Sequence, residues 1–232
     1  LTAVALMALA GSVWAQRFTT ESYRTDILIQ KNRQLLVTET VSVTFTEPQH
    51  GLFRNIPTRY EGTQGTRSID IGALGAEIDT GSGFRPTGCV MTGGDTKNLR
   101  IGDAGETHLG RATFRLRYAV NRAITDFGET AAGGAHSELY WNAIPSGWPT
   151  SIAQATVSVS FPQPQGVGTR ARIFIGSPGS LEHVDLKEIG PVSGQSLIAS
   201  LAPVQADAQA TRPLNHESMT VVLGLPPGTL DV

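Results

Sequence analysis

The sequence predicts an all-β chain, an antiparallel β-sandwich of immunoglobulin-like or similar type with little helix. Three observations carry that expectation. Apolar and polar residues alternate with period two over several runs, which sets one face of each against a core and the other in water. Glycine (26) and proline (13) supply about a sixth of the 232 residues, a content that interrupts long helices. Clusters such as Gly81-Ser82-Gly83 and Gly93-Gly94-Asp95 separate the alternating runs as turns do.

The clearest run is Leu35 to Phe45, with Leu35, Val37, Val41, Val43 and Phe45 on one face and Thr38, Thr40, Ser42 and Thr44 on the other. Glu39 interrupts the apolar face, so it sits near a sheet edge or pairs with a base. Thr25 to Gln30 reads as its partner strand, and Lys31-Asn32-Arg33-Gln34 as the connection of an N-terminal hairpin. In Thr113 to Val120, Phe114, Leu116, Tyr118 and Val120 face inward; in Ala155 to Phe161, Val157, Val159 and Phe161 do so. Weaker strand patterns cover Ser68 to Ile71, Leu99 to Ile101, Ala171 to Ile175, Leu197 to Leu201 and Met219 to Leu225. Ala202 to Ala210 has room for a turn or two of helix between Pro203 and Pro213. Two strands stopped by prolines, Ala155 to Pro164 and Met219 to Gly228, raise an alternative organisation. In it, two β subdomains, 16–165 and 166–232, meet near Gly166 to Thr169.

Residues 1–15, LTAVALMALAGSVWA, carry no charge and end in Val13-Trp14-Ala15, which suits a signal peptidase cutting before Gln16. The run is shorter than the ~20 residues of a membrane span. The expectation is an exported chain, with a signal peptide incomplete at its start (1–15) and a β-sandwich ectodomain over 16–232. Lys plus Arg (18) nearly balance Asp plus Glu (20), which argues against a nucleic-acid partner. A single cysteine, Cys89, excludes an internal disulfide and a thiolate zinc site.

Two segments depart from a generic sandwich. His50-Gly51-Leu52-Phe53-Arg54-Asn55-Ile56-Pro57 reads as a tight turn with exposed polar groups. Glu138-Leu139-Tyr140-Trp141-Asn142, followed by Ser146-Gly147-Trp148-Pro149, concentrates aromatics that either fill one end of the core or line a recognition groove. Gly51 and Gly147 are expected in backbone conformations that a side chain would strain.

These blocks also carry a resemblance. The order LLVTETVSVTF, HGLFRNIP, LRIGD (Leu99 to Asp103), FRLRYAV (Phe114 to Val120), ELYWNAI (Glu138 to Ile144), GWPTSIAQATVSVSFP (Gly147 to Pro162) and MTVVLGLPPG resembles one known bacterial family. It is the N-terminal extracytoplasmic domain of the YciQ-like predicted membrane proteins, a domain of unknown function, matched from about residue 23 onward. Where that family usually has an Asp-Gly-type turn, this chain has Lys31-Asn32-Arg33-Gln34. The resemblance implies an ectodomain, either joined to the membrane through a segment absent from this chain or shed as a short periplasmic or secreted relative, and it implies no reaction.

The chemistry points the same way. The five histidines (His50, His108, His136, His183, His216) include no pair at the spacing that sets two ligands on one helix face. There is no Gly-x-Ser-x-Gly elbow and no phosphate-cradling loop. His136-Ser137-Glu138 cannot form a triad on a strand, because neighbours point to opposite faces. His50 with Glu138 is the one acid/base pair the sequence offers, and Arg54 with Glu138 the expected brace between the two unusual segments. Cys89 reads as a small buried apolar residue rather than a nucleophile, and Asp95, Asp103 and Glu106 as solvated turn acids rather than calcium ligands. The leading expectation is therefore a non-catalytic, envelope-exposed module without cofactor or metal that binds another envelope protein or a surface polymer. Its candidate binding residues are His50, Arg54, Glu138, Tyr140, Trp141 and Trp148. A structural or assembly ectodomain is the alternative, and an envelope hydrolase using His50 and Glu138 a third reading.

Overall fold

A computed structural model describes residues 17–62, 65–129, 134–162, 169–177, 180, 182–185, 187–189 and 204–231. The described residues form strands without helix: β1 (Phe18–Ile29), β2 (Leu35–Gln49), β3 (Leu52–Pro57), β4 (Arg59–Gly62), β5 (Gly65–Ser68), β6 (Asp70–Asp79), β7 (Arg85–Thr87), β8 (Cys89–Thr92), β9 (Thr96–Ile101), β10 (His108–Asn121), β11 (Ile124–Phe127), β12 (His136–Ile144), β13 (Ile152–Phe161), β14 (Arg170–Gly176), β15 (His183–Asp185), β16 (Lys187–Ile189), β17 (Val204–Gln209) and β18 (Ser218–Leu225). They make an eight-stranded sheet (β16-β17-β13-β1-β2-β10-β6-β7), a five-stranded sheet (β11-β12-β18-β14-β15), a three-stranded sheet (β3-β9-β8) and the β4-β5 ribbon. Every described pairing is antiparallel except β1 with β13.

The expected N-terminal hairpin is present and longer than its pattern, with Ile29 opposite Leu35 and Phe18 opposite Phe45. Leu35, Val37, Val41, Val43 and Phe45 are buried as the alternation requires, and so are Phe114, Leu116, Tyr118 and Val120 on the next strand. The five-stranded sheet faces them with Leu139, Trp141, Ala143, Ile173, Ile175, Val221 and Leu223. Thr25 Oγ1–H crosses between the layers to the carbonyl of Ala143 (2.8 Å), and the Tyr118 and Trp141 rings meet at 6.4 Å. Each fully buried Leu, Ile, Val or Phe contributes roughly 1.5–3 kcal/mol relative to exposure.

Two expectations are corrected. Residues 204–209 form β17, paired with β13, rather than helix. Its backbone ladder and the burial of Ala208 override the helix preference of alanine. Likewise Leu52–Pro57 is strand β3, not a turn. Leu52, Arg54 and Ile56 all point inward, and Arg54 disguised that apolar face in the sequence. Three other sequence readings, the segment 1–15, the strand at Leu197 to Leu201 and most of the boundary at Gly166 to Thr169, lie outside the described residues.

The three-stranded sheet is fastened to the core by charge. Glu39, on the inner face of β2, and Arg54, on β3, are each about 2% exposed, and Arg54 Nε–H donates to both Glu39 carboxylate oxygens at 3.0 Å. Tyr23 Oη–H and Tyr118 Oη–H donate to the same carboxylate, each at 2.6 Å. Arg54 also donates to the backbone carbonyls of Asn55 and, on β12, of Asn142. Burial, with the Glu39 charge adding to it, holds both tyrosine hydroxyls well above the ordinary phenol range. Burial opposes the guanidinium charge, but Glu39 and the tyrosine oxygens outweigh it, so Arg54 stays cationic. Arg54 thereby pairs with Glu39 and not with Glu138, a correction that also answers why an acid interrupts the apolar face of β2.

Next to this pair the chain makes a close crossing. Gly51 (φ +145°) and Gly102 (φ +122°) pass so near that a Cβ on Gly51 would lie 1.9 Å from Ile101 O, and one on Gly102 2.0 Å from His50 O. Gly147, by contrast, has no positive φ and open space at its Cβ position, so the strain expected there is absent.

Removing one member of the buried pair strands the other. Glu39→Met and Arg54→Met should each lower unfolding free energy by about 3–5 kcal/mol. The double change Glu39→Met with Arg54→Met should cost less than their sum by ~1 kcal/mol or more in urea unfolding; strict additivity would contradict the account. Gly51→Ala should cost about 1–3 kcal/mol, and Gly147→Ala should stay within roughly 0.5 kcal/mol.

Candidate binding surface

The structure separates the six candidate residues. Trp141 (2% exposed) and Trp148 (3%) are core. The Trp148 ring packs edge-on against Tyr23 at 5.0 Å, and its Nε1–H donates to Thr20 Oγ1 at 2.9 Å. Neither indole lines a groove: β12 turns Leu139, Trp141 and Ala143 inward together, and Trp148, between β12 and β13, packs against Phe18 and Tyr23 of β1. Arg54 is buried against Glu39, as described. His50 stands exposed between β2 and β3, and its Nδ1–H donates to the carbonyl of Glu106 at 2.7 Å. Glu138 lies on the outer face of β12, with His136 Nε2 at 3.9 Å. No contact joins His50 to Glu138 among the described residues, so that acid/base pair is not assembled. Tyr140, 45% exposed, stands on the same outer face as Glu138.

That outer face is where the remaining candidates gather. Register aligns Glu138, Gly224 and Arg170 in one row, Tyr140, Val222 and Arg172 in the next, then Asn142, Thr220 and Phe174. Phe127 stacks on His136 with ring centroids 5.1 Å apart and planes 10° from parallel, and Phe174 meets His183 at 5.8 Å. A cavity of about 770 Å³ opens over His136, Glu138, Arg170, Arg172, Phe174 and Gly224. A second, of about 280 Å³, lies over Tyr140, Asn142, Phe174, Ser180, Ser218 and Thr220. Both sizes suit a small ligand or a segment of a polymer. Flat rings beside amide, hydroxyl and charged groups provide stacking and hydrogen bonding on one surface.

Arg170, Arg172 and Phe174 were missed in the sequence, although Arg-Ala-Arg-Ile-Phe-Ile carries the signal. Its alternation sends Ala171, Ile173 and Ile175 inward and the other three outward. Elsewhere, burial pushes the half-buried Cys89 thiol up. Asp103 accepts from Thr87 Oγ1 at 3.2 Å and Glu106 from Arg85 at 2.6 Å. Among the described residues no three His, Cys, Asp or Glu side chains gather as metal ligands.

Known proteins add the following. No curated protein sequence matches the chain. A putative protease from Parabacteroides distasonis aligns at 13% identity over 91% of this chain and 41% of its own, with a TM-score of 0.46. Yeast LTA4 hydrolase in complex with bestatin aligns at 10% identity over 90% of this chain and 29% of its own, with a TM-score of 0.50. Native leukotriene A4 hydrolase from Saccharomyces cerevisiae gives 11% identity, 90% and 29% coverage, and a TM-score of 0.49. The chain thus spans less than half the length of each, and the likeness at 0.50 bears on fold alone. The sequence model of the predicted membrane protein (DUF2207) N-terminal domain matches residues 19–212, in accord with the resemblance carried by the HGLFRNIP and ELYWN blocks. The chain belongs to that family of predicted membrane proteins.

Proposed function

We propose that the chain is a non-catalytic, extracytoplasmic binding module of a bacterial membrane protein. Its binding surface is the outer face of the five-stranded sheet, and it takes an envelope protein or surface polymer. The observation that carries this reading is that Tyr140, Phe174, Glu138, Arg170 and Arg172 share one sheet face over two adjoining cavities. A ring exposed to water on a strand that is otherwise well packed contributes little to stability, and aromatic and arginine side chains are the ones that most often anchor partners. The export pattern at residues 1–15 and the membrane-protein family support the location.

A photo-crosslinking amino acid placed at Tyr140 in native cells tests this reading, with Thr40 on the opposite sheet as the control position. Position 140 should yield a discrete adduct that position 40 does not, while Tyr140→Ala leaves unfolding free energy within about 0.5 kcal/mol of the parent. Equal crosslinking at the two positions would remove the outer face as the binding surface.

A further inference from the structure

The two cavities on the outer face of the five-stranded sheet differ in charge. Around the larger one Glu138 stands with Arg170 and Arg172, so both signs are present and neither is selected. The smaller, of about 280 Å³, is lined by no charged side chain among the described residues. The row Asn142, Thr220 and Phe174 crosses it, with Tyr140, Ser146 and Ser177 around it. Hydrogen-bonding capacity is left over there. Thr220 Oγ1–H donates to Asn142 Oδ1 at 2.8 Å, which leaves both protons of the Asn142 amide nitrogen without an acceptor among the described residues. The hydroxyls of Tyr140, Ser146 and Ser177 enter no hydrogen bond among those residues. Ser218 and Ser180 donate to the carbonyls of Gly176 (3.0 Å) and Ile175 (2.7 Å), and their oxygens can still accept. Two flat rings stand beside these groups, Tyr140 exposed and Phe174 half-buried.

That combination discriminates between ligand classes. An anion seated here gives up water and meets no cation, and a cation meets no carboxylate. An acyl chain covers the amide and hydroxyl groups and leaves them unpaired. A peptide laid over the row meets a sheet face, because β18 is already flanked by β12 and β14, and so finds no free edge there to extend. A sugar matches on every count. It has an apolar C–H face for the two rings, hydroxyls that both donate and accept, and no net charge.

We propose that this cavity seats a short stretch of an uncharged polysaccharide. Tyr140 and Phe174 lie against the C–H faces of its sugar rings, and Asn142, Ser146 and Ser177 bond its hydroxyls. The ligand class rests on the outer face being the binding surface, and it makes the occupant a polymer rather than a protein. A site that bonds hydroxyl groups in this way rejects an analogue lacking them, since its own polar groups would then be left unpaired.

Envelope material from native cells tests the ligand class apart from the surface. The full chain with the photo-crosslinking amino acid at Tyr140 is mixed with that material after digestion by a protease that is then inactivated, or after oxidation by periodate, which cleaves the vicinal diols of sugars. Protease-treated material should still give the adduct, and periodate-treated material should not. An adduct lost to protease or surviving periodate overturns the sugar while leaving the surface in place; no adduct from untreated material removes both. The protease-treated polymer, passed over an anion exchanger, then supplies its unretained, uncharged fraction as the probe. In surface plasmon resonance the full chain should bind that fraction equally well in about 0.5 M sodium chloride. Tyr140→Ala should weaken binding about tenfold, as should Asn142→Asp, which keeps the oxygen that Thr220 bonds and removes the amide donors. Phe53→Ala, which removes an exposed ring from the three-stranded sheet, should leave binding within about twofold. A matching thermal midpoint shows that each variant is folded. Binding confined to the retained, anionic fraction, binding abolished by salt, binding to neither fraction, or Tyr140 and Asn142 variants that bind as the parent does would each overturn the proposal.

Discussion

A carboxylate and a guanidinium withdrawn from water inside a β-sandwich persist only if each satisfies the other and every remaining nitrogen finds an acceptor. Glu39 and Arg54 meet that condition, with Tyr23 and Tyr118 closing the carboxylate and the Asn55 and Asn142 carbonyls closing the guanidinium. The placement of the sheets follows from it. β1, β2 and β10 supply the acid and the two phenols, β3 supplies the base, and β12 supplies a carbonyl. One polar cluster therefore joins the eight-stranded sheet to the three-stranded and five-stranded sheets. A packed apolar core would tolerate some sliding of one layer over another, whereas a fully bonded buried pair does not.

Because the pair fixes β12 against the core, it also fixes what β12 shows to water. Leu139, Trp141 and Ala143 fill the interior, and Glu138, Tyr140 and Asn142 are left outside. The residues that build the fold and those available to a partner are thus neighbours in sequence but opposite in direction. The proposed binding surface is a consequence of strand parity, assembled when β18 and β14 add Thr220, Val222, Arg170, Arg172 and Phe174 in register.

The strands whose alternation is unbroken, Leu35 to Phe45 and Thr113 to Val120, were legible because burial on one face leaves its period in the sequence. Glu39 was legible as an acid in need of a base, but which base was not. The sequence offers Glu138 as readily as Glu39 for Arg54, since nothing in a single sequence reports which strand lies opposite. The same arginine hid β3, where Leu52, Arg54 and Ile56 alternate with one member that does not count as apolar. Parity within Glu138 to Ala143 would have divided the tryptophan from the tyrosine. Read as one aromatic cluster, the segment concealed that division. The contact of Asp231 with Lys31 joins residues 200 positions apart by backbone alone, so no side-chain pattern records it.

The central claim is that recognition belongs to the outer face of the five-stranded sheet while the Glu39–Arg54 cluster and the two buried tryptophans hold the fold. Amide hydrogen exchange of the full chain, with and without an envelope fraction from its native cells, tests that claim most directly. The account predicts added protection confined to β12, β14 and β18, with β2 and β10 unchanged. Protection gained instead around His50 to Phe53, or on β2 and β10, would contradict it.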